Sequence, residues 1–208
     1  MRKNLAIFAA KLLISIGRVL GKKSTSTPGR FALMIYPGIL SELAACAKGK
    51  IIAVCGTNGK TTTNNMLNTI FKSEGNKTVC NGAGANMLSG ITTAFVEKAN
   101  FFGRLNADYA CIEIDEISVP KVFEHFIPDI IMITNLFADQ LDRSGGTDAV
   151  ASKLSDALEK VKNETVLLNG DDPLVSSLGK DNDRYIYYGV GEYKGLPAGE
   201  AGDEGFCP

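Results

Sequence analysis

A doubly wound, mostly parallel α/β sheet carrying a phosphate-binding loop, preceded by an N-terminal helical segment, is the fold this sequence predicts. Three observations carry that expectation. The apolar run Ile51–Cys55 leads straight into Gly56-Thr57-Asn58-Gly59-Lys60-Thr61-Thr62, a glycine-containing turn that opens a helix. Strand and helix signals then alternate to about residue 190. Two later segments, 128–134 and 164–169, are apolar without alternation, which predicts strands covered on both faces of a sheet with right-handed crossovers.

The elements follow in order. Residues 4–22 read as a helix, with Asn4, Lys11, Ser15, Arg18 and Lys22 on one face and a broad apolar face opposite. Met1-Arg2-Lys3 followed by an apolar stretch resembles a signal peptide. However, Lys11 interrupts the stretch, no small-residue cleavage site follows, and the run is too short to cross a bilayer. Two readings of this helix stand: one packed on its own domain or a partner, the other a basic amphipathic helix on a membrane surface. Residues 22–30 read as a polar linker loop with a Pro28-Gly29 turn, and Pro37-Gly38 starts a second short helix reaching about Lys48. Strands are expected near 50–55, 77–80, 107–114, 128–134, 164–169 and 184–189, and helices near 60–74, 89–99, 117–125, 146–162 and 173–179. The organisation is then a helical segment and linker over 1–48, an α/β domain carrying the phosphate-binding loop over 49–190, and a glycine-rich loop over 191–208.

Bulk properties narrow the classes. A chain of 208 residues can bury a substantial core. Its net charge of −1, with acids and bases interspersed, gives no sign of a nucleic-acid surface. The cysteines Cys46, Cys55, Cys80, Cys111 and Cys207 are odd in number, and two lie in apolar strands, which suits a reducing cytoplasm rather than a disulfide framework.

The strand–turn–helix at 51–63 has the parts that hold a nucleoside triphosphate. Backbone N–H groups and the helix N-terminus face the phosphates, Lys60 reaches the β- and γ-phosphates, and the Thr61 hydroxyl ligates Mg²⁺. Gly56 and Gly59 let the backbone approach phosphate oxygens. The generic phosphate-loop pattern wants a further glycine where Val54 stands. Such a site needs a second metal ligand from a neighbouring strand end, and the strand 107–114 ends in Glu113, followed by Asp115 and Glu116. The bland alternative for Asp115 and Glu116 is a solvated strand exit. Asn135 and Asn169 also stand at strand ends, where doubly wound sheets bind ligands.

The loop Gly56–Thr62 is similar to that of the Mur ligase superfamily, ATP-dependent ligases that activate a carboxylate as an acyl phosphate. By the same resemblance Glu113 matches the family's Mg²⁺ ligand. Asn135–Arg143 resembles a segment with a metal-binding histidine, replaced here by Gln140; His125, the sole histidine, does not substitute for it in sequence. Asn169-Gly170-Asp171-Asp172 resembles a segment bordering the adenine. Together with Pro28-Gly29 and Gly82–Met87, these segments resemble the MurT family, the ligase subunits of lipid II isoglutaminyl synthase, over essentially the whole chain.

That resemblance implies a specific chemistry. Lys60 and Glu113 would be catalytic, Gly56, Thr57, Asn58, Gly59, Lys60, Thr61, Thr62 and Asn169 would hold ATP, and Thr61 and Glu113 would hold Mg²⁺. It also implies a GatD-type glutaminase partner, lipid II as substrate at the inner face of the cell membrane, and Zn²⁺ in a four-cysteine ribbon. Cys207 would be that ribbon's first ligand, in a set this chain cannot complete. The chain is expected to be an N-terminal fragment, inactive by itself. An amino-acid ligase of the Mur or folylpolyglutamate type, a P-loop ATPase switch and a purely structural α/β module remain alternatives.

Overall fold

The computed structural model describes residues 2–21, 24–137, 147–180 and 183–190. Six strands form one sheet in the order β2-β3-β1-β4-β5-β6: β1 Ile51–Cys55, β2 Thr78–Cys80, β3 Tyr109–Glu113, β4 Ile130–Ile133, β5 Thr165–Asn169 and β6 Tyr185–Tyr188. Every pairing is parallel. The helices among the described residues are α1 Arg2–Val19, α2 Thr27–Ile35, α3 Ile39–Ala44, α4 Lys60–Ser73, α5 Leu88–Lys98, α6 Val119–Phe123, α7 Thr147–Leu158 and α8 Pro173–Ser177. The chain builds outward from β1 to β3 and β2 on one side, then crosses to β4, β5 and β6 on the other. The switch point therefore lies at the carboxyl end of β1, where open α/β sheets leave a crevice for ligands.

The strands anticipated from sequence all form, a residue or two shorter at their ends. Their burial departs from expectation. β1 is buried along its length and β3 nearly so, as strands covered on both faces should be. β4 and β5 instead alternate between buried and half-buried positions, with Ile131, Ile133, Val166 and Leu168 inward. Apolar residues on both faces of a strand are thus compatible with one face only partly covered.

The N-terminal region also corrects the expectation of a linker. The segment read as a loop contains the start of α2, because Pro28 occupies the first helical turn, where its missing N–H costs nothing. Gly29 lets α2 approach α5 closely: a Cβ there would lie 1.9 Å from the Ser89 carbonyl oxygen. The Gly29 N–H donates to Thr93 Oγ1 at 2.9 Å. The helix expected from Pro37 to about Lys48 is α3, ending at Ala44. α6 ends at Phe123, which leaves His125 in the following turn rather than in a helix.

α1 packs on α2 and α5, buries Ala6, Ile7 and Ala10 in the common core, and also buries Ile14. Two residues of its polar stripe reach α5: Lys11 Nζ donates to the Glu97 carbonyl at 3.1 Å, and the exposed Arg18 pairs with the Glu97 carboxylate. An apolar stripe is left outside, with Leu5, Phe8, Leu12, Ile16 and Val19 between 47% and 87% exposed. No described helix is long and apolar enough to cross a membrane.

Candidate active site

β1 delivers the chain to the switch point, and two glycines turn it. Gly56 has φ 124°, and a Cβ on it would meet Thr134 Oγ1 at 2.4 Å, so only glycine fits between β1 and the end of β4. Gly59 has φ 79° and caps α4 in the left-handed region, with open space where a Cβ would be. Asn58 and Gly59 are exposed, so the turn presents its backbone outward above the start of a fourteen-residue helix.

The loop is latched to the end of β4. Thr57 N–H donates to the Asn135 carbonyl at 2.8 Å, and Asn58 N–H donates to Asn135 Oδ1 at 2.8 Å. Asn135 Nδ2 and Thr134 Oγ1 donate back to the Asn58 carbonyl at 3.1 and 2.8 Å. Lys60 curls over the turn, with its ammonium donating to the carbonyls of Gly56 and Thr57 and reaching Glu116 Oε2 at 3.4 Å. Thr62 is exposed on the first turn of α4.

Glu113 ends β3 beside this loop and is 2% exposed. Its carboxylate accepts from Thr61 Oγ1 at 2.8 Å and from Asn86 Nδ2 at 3.0 Å. Both donors are neutral, and among the described residues no ion pair offsets the charge. A nearly buried carboxylate is costly unless a cation compensates it. A hydroxyl and a carboxylate oxygen side by side form a hard-oxygen donor set that suits Mg²⁺. The residues present therefore fit such a metal, which Thr61 and Glu113 would hold.

Two residues whose roles the sequence did not reveal position Glu113. Asn81, at the end of β2, accepts from the Glu113 N–H at 2.8 Å and donates to the Glu113 carbonyl at 2.7 Å. Asn86 holds the carboxylate itself. Their position just past a strand's carboxyl end was the available signal, but asparagines in a glycine-rich loop read equally well as turn residues. The two remaining acids divide: Glu116 reaches Lys60, whereas Asp115 Oδ1 accepts from the Ile117 N–H at 3.1 Å and shapes the turn.

Asn169 lies at the end of β5, two strands from β1. Its Nδ2 donates to the Thr134 carbonyl at 2.8 Å and its Oδ1 accepts from the Asp171 N–H at 3.0 Å, so both ends of the amide brace the strand ends. Asp172 caps α8, accepting from the Val175 N–H at 3.0 Å, and also accepts from the Leu136 N–H at 3.0 Å. Gln140, with Asp139, Asp142 and Arg143, lies outside the described residues, as do Cys207 and the segment 191–208. Burial pushes the Cys55 and Cys111 thiols up to about 12. Both stay protonated at neutral pH and serve as core, not as nucleophiles.

A phosphate loop at the switch point of a parallel sheet, with a metal-suited Thr–Glu pair beside it, defines a nucleotide-binding α/β domain. The Mur ligase middle domain matches residues 54–200, and the chain belongs to the Mur ligase family. It is similar to the MurT subunit of lipid II isoglutaminyl synthase (glutamine-hydrolyzing) from Staphylococcus aureus (strain COL), with 38% identity over 190 residues, 91% of this chain and 42% of that one. The MurT subunit from Streptococcus pneumoniae is 36% identical over 174 residues, covering 84% of this chain and 38% of that one. The chain thus spans about two fifths of the length of these relatives. Among solved structures, MurF from Acinetobacter baumannii superposes with a TM-score of 0.62 at 21% identity, over 77% of this chain and 34% of that one, which shows the shared fold.

Proposed function

We propose that this chain is the ATP-binding part of a ligase subunit that amidates the α-carboxyl of D-glutamate in lipid II, using ammonia from a GatD-type glutaminase. The carrying observation is the pairing of the Gly56–Thr62 loop with the Thr61–Glu113 contact, in a chain most of whose length resembles MurT subunits. The S. aureus and S. pneumoniae relatives are named as subunits of a glutamine-hydrolysing enzyme acting on lipid II. A MurF ligase of the same fold, from Thermotoga maritima, is in complex with ADP.

In this reading the loop amides and Lys60 neutralise the β- and γ-phosphates as charge develops on them. Lys60 must leave the Gly56 and Thr57 carbonyls to do so, while Glu116 keeps its ammonium near the loop. Bound Mg²⁺ would supply Lewis-acid stabilisation of the phosphate oxygens. Thr61 and Glu113 orient that site, and Asn81 and Asn86 keep Glu113 in place. The acceptor carboxylate attacks the γ-phosphorus and releases ADP, giving an acyl phosphate. Ammonia then adds to the acyl carbon and expels inorganic phosphate, leaving the amide and a proton. Asn169 borders the adenine through the strand end it braces. Zn²⁺ binding through Cys207 belongs to the same reading.

In this reading the acceptor is lipid-anchored, and the protein works at the cytoplasmic face of the membrane. The outward apolar stripe of α1 supports this placement: Phe101 lies next to Phe8, with ring centroids 6.5 Å apart, and no Asp or Glu precedes Glu42 in the chain.

The test combines the full-length protein with its glutaminase partner, ATP, Mg²⁺, glutamine and lipid II, with mass spectrometry of the stem peptide. Conversion of the carboxyl to an amide, abolished by Lys60→Ala, is the expected result. ATP binding without amidation, beside a demonstrably active glutaminase, would overturn the reading in favour of an amino-acid ligase or an ATPase switch.

A further inference from the structure

Between α2, the start of α5 and the α6 region, with none of the phosphate-loop residues in its lining, lies a pocket of about 460 Å³ that the ligase reading does not use. Three separate elements bring basic groups to it: Arg30 from α2, Lys121 from α6, and His125 from the turn after α6. No carboxylate lines it, and among the described residues neither Arg30 nor Lys121 has an ion-pair partner. The hydroxyl residues Ser89 and Ser118 add hydrogen-bonding capacity, and Met34 and Met87 give an apolar wall.

We propose that this pocket binds a phosphate or diphosphate ester, at a site separate from the phosphate loop. Arg30 and Lys121 are exposed, and two cations lining one pocket without a carboxylate attract a group carrying two negative charges more strongly than a single carboxylate. The Arg30 guanidinium presents a planar fork that matches phosphate oxygens, with Lys121 as a second point charge. The apolar wall suits the organic part of an ester rather than a free ion.

The wall of the pocket runs into the metal-side carboxylates. Met87 directly follows Asn86, whose amide holds Glu113. Ser118 N–H donates to the Asp115 carbonyl at 2.8 Å, and Asp115 N–H donates to the Asn86 carbonyl at 3.0 Å. A ligand anchored here can extend towards Glu113 and the γ-phosphate position. Naming the occupant as the acceptor substrate, held by a phosphate away from its reacting carboxyl, rests on the ligase reading. The existence of the site does not.

His125 is a reporter inside the pocket. Its Nδ1 lies 3.3 Å from Ser41 Oγ. Burial holds its pKa below the ordinary histidine value, with Glu124 acting against that shift and Lys121 adding to it. A bound dianion favours the imidazolium and raises the value.

The experiment uses the full-length protein with its phosphate loop saturated by a non-hydrolysable ATP analogue and Mg²⁺. Phenyl phosphate is titrated in while NMR follows the ring protons of His125, assigned from a His125→Gln variant. An upward shift of at least about half a pH unit is expected. The combined Arg30→Ala and Lys121→Ala variant should weaken phenyl phosphate by at least roughly tenfold with nucleotide affinity unchanged, which also shows that it is folded. An unmoved His125, or a response that survives the double variant, would overturn the site. Benzoate binding as tightly as phenyl phosphate would overturn the phosphate assignment. Failure of lipid II amidation with the His125 response intact would remove the ligase reading and leave this site standing.

Discussion

The phosphate loop and the basic pocket are both receptive to anions, yet they are built in opposite ways. The loop is contiguous in sequence, and its polar groups are already engaged: Lys60 by the Gly56 and Thr57 carbonyls and Glu116, Asn58 by Asn135 and Thr134. The pocket is assembled from α2, the start of α5 and the α6 turn, and Arg30 and Lys121 reach it without ion-pair partners among the described residues. A site preorganised by backbone geometry and strand-end latches can hold one cation in reserve and release it to a ligand. A site made of long side chains on separate helices has no such reserve, so its affinity depends on the ligand's own charge.

The largest break in this comparison is Lys60→Ala. Removing the one mobile cation of the loop should cost about 3 kcal/mol, or on the order of 100-fold in ATP affinity, read by calorimetry. The response of His125 to phenyl phosphate should be unchanged in the same variant. Next is Glu113→Gln, which keeps the shape but loses the charge: its one amide oxygen can still accept from Asn86 Nδ2, while its Nε2 can only donate to Thr61 Oγ1. The Mg²⁺ dependence of ATP binding should collapse with little loss of stability, because a buried charge is removed as well. Equal Mg²⁺ titrations in the two proteins would exclude Glu113 as a ligand.

Asn81→Ala separates positioning from ligation. It strips two buried backbone groups of Glu113 of their partner, at about 1–3 kcal/mol each. The urea midpoint should fall, and Mg²⁺ affinity should weaken less than in Glu113→Gln. The smallest effect concerns His125. Its folded-state value is depressed by burial, so its stabilising contribution is present above about pH 6.5 and is lost as pH falls below that range. Stability measured from pH 7.5 to 5 should decline slightly less in His125→Gln than in the parent.

Much of the candidate site was legible because it is local. Gly56, Gly59, Lys60 and Thr61 must follow a strand and open a helix, and that order is written in consecutive residues. Glu113 was legible because a carboxylate closing an apolar strand has few other uses. Asn81, Asn86 and Thr134 were not: each acts through a partner more than 25 residues away along the chain, at Glu113 or Asn58. Pro28-Gly29 was misread for a related reason. The same dipeptide makes a turn in isolation and a helix start when α5 is close enough to pack on it.

By itself, then, the sequence determined the order and type of the strands, the phosphate loop and the placement of the candidate site residues at strand ends. These follow from periodicity and backbone chemistry within a few residues. Only the tertiary structure decided that β1 and β3 are buried while β4 and β5 alternate, that α1 ties Lys11 and Arg18 to Glu97 at the surface and leaves an apolar stripe outside, and that Arg30, Lys121 and His125 share one pocket. Those features depend on which faces meet. That is set by packing between residues far apart in the chain, and no local pattern encodes it.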